Sequence, residues 1–317
     1  MSVQIPTVSI VIPAYNVGSL LRETIASVQQ QTFPHWELVV IDDGSTDNTR
    51  SVATQCAQTD PRIRVFTQPN QGVSIARNRG VEESQASIIA FLDADDRWRA
   101  AKLQTHLKEF QADPELGVSF DRVEFLTPTG QGTGRYSAFR TQLQAADFLY
   151  NNPSTTTSTW VLRRSVWEEI GGFLPDLNYA EDLEWLLRVC CKSAWRVQEI
   201  PAILTEYRTS PGGLSADLYR MEAGWQHLVR QARSYAPELI AHHYPLAQAS
   251  HLRYLARRAT RMGLPGRIGL DFMTRALRSD WQLILREPHQ TVLTLLSIYW
   301  HLVRSQIPQS HKVNPNA

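Results

Sequence analysis

A chain of 317 residues, 43% hydrophobic and 20% charged, carries enough apolar mass for one large or two ordinary cores, which excludes a disordered protein. A formal net charge of +1 gives no sign of a polyanionic partner, and no nucleic acid is expected. The charge is unevenly divided, with 19 Lys and Arg against 25 Asp and Glu in residues 1–215 and 13 against 6 in residues 216–317, so two segments face different surroundings.

In chain order, Val8-Ser9-Ile10-Val11-Ile12-Pro13 reads as a buried strand, ended by Pro13 and the turn Ala14-Tyr15-Asn16, and a helix is expected from about Leu20 to Gln31. Glu37–Ile41 is a second strand that stops in Asp42-Asp43-Gly44-Ser45, with a helix from about Asp47 capped within Ser45 to Asp47. Ile63–Phe66 is a third strand and Gly72–Ser84 a helix; a fourth strand opens at Ser87 and ends in Asp93-Ala94-Asp95-Asp96, with a helical pattern from Arg99. This alternation indicates a doubly wound, mostly parallel sheet. Beyond Pro114 it loosens. Val118–Phe125 and Thr157–Leu162 read as strands, Thr127–Gly132 as a loop and Ser165–Ile170 as a short helix. Glu181–Ser193 is a helix in which Glu184 and Arg188 form an i,i+4 pair. Strands around Trp195–Glu199 and Ile203–Arg208 close this part, Ser210-Pro211-Gly212-Gly213 reads as a linker, and the remainder is helical by pattern. The expected division is a catalytic domain over 1–212 and a helical extension over 213–317.

The stretch Ile88 to Asp96 organises the chain. An apolar run that stops in three carboxylates reads as a buried parallel strand whose carboxyl end presents acids to a crevice, the place where open α/β sheets bind ligands. Acids this close repel one another, so a cation is expected with them, and hard oxygen donors suit Mg²⁺ or Mn²⁺. A turn or helix cap is the alternative, and one Asp would satisfy it. Asp42-Asp43 repeats the pattern at another strand end, against the alternative of an Asp-Gly-Ser turn. Gly72 opens a helix carrying Arg77, a candidate partner for a diphosphate, against the ordinary solvated arginine. Glu181-Asp182 begins a helix, where the acids either complement the dipole or supply a general base.

Val8–Asn16, Val40–Asp47, Gly72–Gly80 and Phe91–Asp96, with Glu181-Asp182 leading into Leu183–Arg188, resemble in order the motifs of family 2 glycosyltransferases with a GT-A type fold, over roughly residues 7–208. The resemblance implies a Rossmann-like α/β fold, its mostly parallel (mixed) sheet flanked by helices and followed by an all-helical C-terminal segment. It further implies an inverting transferase that moves a sugar from a UDP, GDP or dTDP sugar to a hydroxyl of a glycan or lipid-linked acceptor, with Mn²⁺ or Mg²⁺. Carried over residue by residue, Ala14, Tyr15 and Asp42 line the base and ribose, with Pro13 just before them, and Asp93 contacts the nucleotide. Asp95, with Asp96 beside it, holds the metal, and Asp182 deprotonates the acceptor. The Gln-x-x-Arg-Trp motif and multiple spanning helices of processive members are missing, so polymerisation of a long glycan is not expected. A phosphatase with Asp93 as nucleophile would carry its Asp-x-Asp on the first strand followed by Thr, whereas here it is on the fourth and Asp96 follows. A non-catalytic sugar-nucleotide binder or scaffold is the rival from another class, and it would have no use for Asp182. Gly-x-x-x-x-Gly-Lys and a Gly-x-Gly-x-x-Gly after the first strand are both absent from the sequence.

Cys56, Cys190 and Cys191 lack Cys-x-x-Cys spacing and read as small core residues of a reducing compartment. Met1–Pro6 has no basic start or long apolar run, so a cytoplasmic protein is expected. Thr291–Val303 is apolar but well short of the ~20 residues of a spanning helix. With Arg253, Arg257, Arg258 and Arg261 close together, the tail is open to three readings: peripheral contact at the inner face of the cell membrane, docking on the acidic catalytic part, or a homodimer.

Overall fold

Seven consecutive residues, Val8–Ala14, form strand β1 at the centre of the sheet, and their alternation assigns the two faces. Val8, Ile10 and Ile12 point into one core cluster and Val11 into another, all fully buried, which is why the run lacks the regular polar alternation of a one-sided strand; its polar residue Ser9 is buried too, donating to Glu37 Oε1. The computed structural model describes residues 6–177, 179–209 and 217–306, the side chains of 304–306 excepted. After β1 come α1 (Gly18–Gln29), β2 (Trp36–Asp42), α2 (Thr49–Thr59), β3 (Ile63–Thr67), α3 (Val73–Glu82) and β4 (Ile88–Phe91). The strands lie side by side as β3-β2-β1-β4, all parallel. Leu21, Ile25 and Val28 of α1 with Val52, Ala53 and Cys56 of α2 cover one face, and α3 covers the other. Burial contributes about 1.5–3 kcal/mol for each such large side chain.

Gly80 sets how closely α3 approaches the sheet, because a methyl group there would collide with Val11 Cγ1. Gly80→Ala is therefore expected to destabilise the fold by about 1–3 kcal/mol through overpacking. Urea denaturation measures this, and an unchanged midpoint would mean that α3 has slack against β1.

The second half of the sheet is mixed rather than parallel. After β5 (Arg97–Trp98) and α4 (Lys102–Ala112) follow β6 (Leu116–Leu126), β7 (Gly132–Tyr136), α5 (Asp147–Tyr150), β8 (Trp160–Arg163), α6 (Arg164–Ile170), α7 (Glu181–Lys192) and β9 (Arg196–Arg208). Strand β8 runs antiparallel to β4 and β6, and β9 runs parallel to β6. The two strands expected over 195–208 are one. Asp121 pairs with Ile200 and Arg122 with Ile203, so Pro201 and Ala202 are bulged out of a continuous ladder, the place a proline tolerates. Strand β8 starts at Trp160, and Thr157–Thr159 forms a 3-10 turn instead of its first residues. The helix expected from Arg99 begins at Lys102 because Arg97 and Trp98 pair with β9. Asp47 acts as expected at the start of α2, its Oδ1 accepting from the Thr49 N–H, although Asn48 occupies the cap position itself.

Phe91, Trp160, Trp167, Phe173 and Trp185 pack ring against ring with centroids 5.3–6.5 Å apart. This cluster clamps the start of α7 to the end of β4. The expected linker falls on residues 210–216, outside the described residues. Beyond it lie α8 (Leu218–Tyr235), α9 (Pro237–Arg261), α10 (Gly266–Ser279), α11 (Leu283–Arg286) and α12 (Pro288–Gln306). Trp225 and Leu228 of α8 share a core cluster with α7, while α9, α10 and α12 build their own around Leu255, Phe272 and Ile298. Among the described residues no helix is long and apolar enough to cross a membrane.

Candidate active site

The strand order reverses at β1, whose neighbours are β2 and β4, and the crevice beyond the carboxyl ends of these strands is the ligand position of an open α/β sheet. Ala14 pairs with Asp42, and Leu92 donates its N–H to Val11 O, so Asp42 and Asp93 emerge on either side of the β1 terminus. Ala14 is buried, Pro13 half-buried, and the Tyr15 ring is 52% exposed at the rim. Asp42 is buried and its Oδ1 accepts from the Ser45 N–H at 3.1 Å. Its neighbour Asp43 is structural, accepting from the Gln68 side chain and from the Gln71 and Gly72 N–H groups, which ties this loop to the start of α3.

The three acids after β4 have different surroundings. Asp93 accepts from Arg77 Nη2 at 2.7 Å and from the Thr156 and Thr157 hydroxyls, and its carboxylate remains partly open to the crevice. Asp96 does not face the crevice, contrary to the expectation that it stands beside Asp95 as a metal ligand. It is fully buried, with Ser158 Oγ donating to one oxygen at 2.6 Å and the Arg208 N–H to the other at 2.9 Å. Burial and the charges of Asp95 and Asp93 push its carboxyl well above the usual range.

Asp95 is half-buried, and among the described residues no neighbouring side chain donates a hydrogen bond to its carboxylate. Burial first, and then the Asp93 charge, push it up to about 6. Such an under-compensated carboxylate fits a hard divalent cation. Among the described residues no group of three or more His, Cys, Asp and Glu side chains is gathered for a metal. The protein would thus supply one or two carboxylates and leave the remaining positions to phosphate and water, an arrangement Mg²⁺ accepts.

Arg77 departs from its expected place on a diphosphate. It is buried, and its two terminal nitrogens are taken by Asp93 and by Glu181 at 2.8 Å. A guanidinium removed from water requires such anionic partners. Arg77 therefore joins the carboxyl end of β4 to the first residue of α7.

Asp182 follows Glu181 in the first turn of α7, where the left-handed Ala180 (φ 63°) starts the helix. Its Oδ2 accepts from Asn152 Nδ2 at 2.6 Å. Burial, and then the Glu181 charge, push its carboxyl up to about 7.

Residues 152–159 take a part in the site that sequence reasoning missed. Asn152 holds Asp182, Thr156 and Thr157 hold Asp93, and Ser158 Oγ both accepts from the Asp93 N–H and donates to Asp96. Behind this segment Trp98 Nε1 donates to Ser158 O, and the buried Lys102, paired with Asp121, donates to Thr159 O. The available signal was the unbroken hydroxyl run Ser154–Thr159 directly before an apolar strand, a combination that buried packing alone does not favour.

The family model "Glycosyl transferase family 2" matches residues 9–171. A Bacillus subtilis (strain 168) protein, provisionally named teichuronic acid biosynthesis glycosyltransferase TuaG, is 30% identical over 217 residues, 68% of this chain and 84% of the relative. Among solved structures, the Pyrobaculum calidifontis mannosyltransferase PcManGT, in complex with GDP-Man and Mn²⁺, has a TM-score of 0.58 at 19% identity, covering 96% of this chain and 89% of that one. S. aureus TarS 1-349 with UDP-GlcNAc has a TM-score of 0.57 at 15% identity, covering 97% and 95%; of a longer TarS structure this chain spans 53%. At these identities the two structures establish the GT-A type fold.

Proposed function

The chain belongs to glycosyl transferase family 2 and is a glycosyltransferase; from that premise we propose a metal-dependent, inverting, non-processive enzyme that uses a nucleoside-diphosphate sugar. The observation that carries this reading is the pair of unlike carboxylates joined by one buried arginine, Asp93 to Arg77 to Glu181-Asp182, which faces a nucleotide-side acid toward a base-side acid across the crevice. Residues 1–212 are read as the catalytic domain and 213–317 as its helical extension. The acceptor is a hydroxyl of a glycan or of a lipid-linked saccharide, with the enzyme at the inner face of a membrane.

In this mechanism Pro13, Ala14 and the exposed Tyr15 ring line the nucleobase, Asp42 the ribose, and Asp93 the nucleotide. Asp95 holds Mn²⁺ or Mg²⁺, which when bound supplies Lewis-acid compensation for charge on the departing diphosphate. Asp182 accepts the proton of the acceptor hydroxyl as its oxygen bonds to the anomeric carbon and the bond to the diphosphate oxygen breaks. Attack from the face opposite the leaving group inverts that carbon. Arg77 keeps Glu181 and Asp93 at fixed separation, and Asn152 aims Asp182 Oδ2. Incubation with UDP-, GDP- and dTDP-sugars and Mn²⁺, scored for acceptor-dependent release of nucleoside diphosphate, tests the assignment. Binding of a donor without any turnover would instead leave a sugar-nucleotide binder.

The pH profile carries a further expectation. A base works only when deprotonated, so kcat/KM should rise with pH through about 7 and level off above it. Asn152 donates to the charged form and lowers the Asp182 pKa, so Asn152→Ala should move that limb upward by about one pH unit. An unmoved limb would show that Asn152 does not act on the base.

A further inference from the structure

Residues 152–159 hold a conformation that their own sequence does not favour. Thr155 sits in the left-handed region at φ 68°, where a β-branched side chain is strained and persists only if its surroundings fix it. Hydrogen bonds from two sides do so. Toward Asp182, Asn152 Oδ1 accepts from Ser154 Oγ at 2.9 Å and from the Thr155 N–H at 3.0 Å, which turns the amide so that Nδ2 meets the carboxylate. Toward the core, Thr159 Oγ1 donates to Ser154 O and Thr156 O, and the Thr159 carbonyl accepts from Lys102 Nζ at 2.9 Å.

Lys102 lies on α4, fully buried, with Asp121 as its counter-ion and Thr205 Oγ1 at 3.3 Å as a further partner. His106, which burial and then the Lys102 charge lower to about 4, is neutral and bonds the same Asp121 oxygen. A buried ion pair is weak evidence for stability, because both charges have lost their water. What this one supplies is direction: Asp121 fixes the ammonium, and its other hydrogens are aimed at Thr159 O and Thr205 Oγ1. The nucleotide half of the segment has an anchor of its own. There Trp98 Nε1 donates to Ser158 O, and the Ser158 and Thr156 hydroxyls donate to Asp96 and Asp93.

We propose that Lys102 and Thr159 are positioning residues for Asp182. The route is continuous: Lys102 Nζ to Thr159 O, Thr159 Oγ1 to Ser154 O, Ser154 Oγ to Asn152 Oδ1, and Asn152 Nδ2 to Asp182 Oδ2. Neither residue touches the reacting groups; both hold the amide that aims the carboxylate. This deepens the transferase reading, on which it rests for the role of Asp182 as base. Severing the route frees the Asn152 amide, so the carboxylate loses a donor to its charged form and holds its proton more tightly. The nucleotide side keeps Trp98 and the hydroxyls on Asp93, so the loss falls on kcat and not on the donor KM.

The test combines steady-state kinetics with a carbon-13 NMR titration of the aspartate carboxyls, in which the Asp182 signal is the one lost in Asp182→Asn. Two variants cut the route. Thr159→Val is nearly isosteric and removes only the hydroxyl. Lys102→Met with Asp121→Asn removes both charges together, so neither ion is left alone in the core, and the amide oxygen can still accept the Leu204 N–H. The charged neighbours of Asp182, Glu181 and Arg77, are untouched. Each variant should raise the Asp182 titration by about half a pH unit or more and lower kcat by about tenfold, with the donor KM unchanged. Combined with Asn152→Ala, neither should add a further shift, because the same contact is already gone. An unmoved titration or an unchanged kcat in Thr159→Val, or a shift that adds to that of Asn152→Ala, would overturn the proposal. If the Lys102 variant does not fold, Thr159→Val alone decides. Shifted titrations in a protein that never releases nucleoside diphosphate would defeat the transferase reading and leave the positioning of Asp182 standing.

Discussion

Asp182→Asn should bind the donor with unchanged affinity and lose turnover by the ~10²–10⁴ that a missing general base costs. Asparagine is nearly isosteric and can still meet Asn152 and begin α7, so the loss would be chemical and not structural. The place of the residue argues for the size of the effect. Burial and the Glu181 charge push its carboxyl up to about 7, near the pH where a base is both deprotonated and still proton-hungry. The neighbouring Glu181 is spent on Arg77 and cannot take over. Steady-state kinetics with calorimetric donor titration separates the two parameters; near-normal turnover would reduce Asp182 to an acid that merely suits the helix dipole.

Asp95→Asn should abolish the Mn²⁺-dependent part of nucleotide binding and, with it, turnover. It should also raise the melting temperature of the metal-free protein. A carboxylate whose pKa is raised on folding opposes stability as pH climbs from its ordinary value through about 6, so at pH 7 that cost is fully present and asparagine removes it. Asp96 differs in that both its oxygens accept hydrogen bonds, from Ser158 Oγ and the Arg208 N–H, so Asp96→Asn would set an amide nitrogen against a donor and lose a buried hydrogen bond that Asp95→Asn does not. Unchanged Mn²⁺-dependent nucleotide affinity in Asp95→Asn, measured by calorimetry, would defeat the metal assignment.

The parallel half of the fold was legible because strands buried on both faces leave an unbroken apolar run, and Val8–Pro13, Glu37–Ile41 and Ile88–Leu92 each have one. Strand β7 was not, because all five residues of Gly132–Tyr136 are exposed and give no alternation to read. The two-strand reading of 195–208 failed at Pro201, where a break in local pattern is absorbed by a bulge. In the site, Asp93, Asp95 and Asp182 were readable as acids at element ends. Which of Asp93, Asp95 and Asp96 faces the crevice was not, because that depends on Ser158 and Arg208, 62 and 112 residues away in sequence. Arg77 misled for the same reason: its two carboxylate partners, 16 and 104 residues away, make it a strut where a local reading makes it a free cation. The corrections thus concern long-range hydrogen bonding of charged groups.

One measurement bears most directly on inverting transfer across the crevice between Asp95 and Asp182. Proton NMR follows an α-linked nucleoside-diphosphate sugar as it is consumed with Mn²⁺, by an acceptor or slowly by water, and reads the anomeric configuration of the first product. A β-configured product, formed by wild type and lost in Asp182→Asn, is the predicted result. An α-configured product, or an equal rate of β product in the variant, would contradict direct displacement with Asp182 as base.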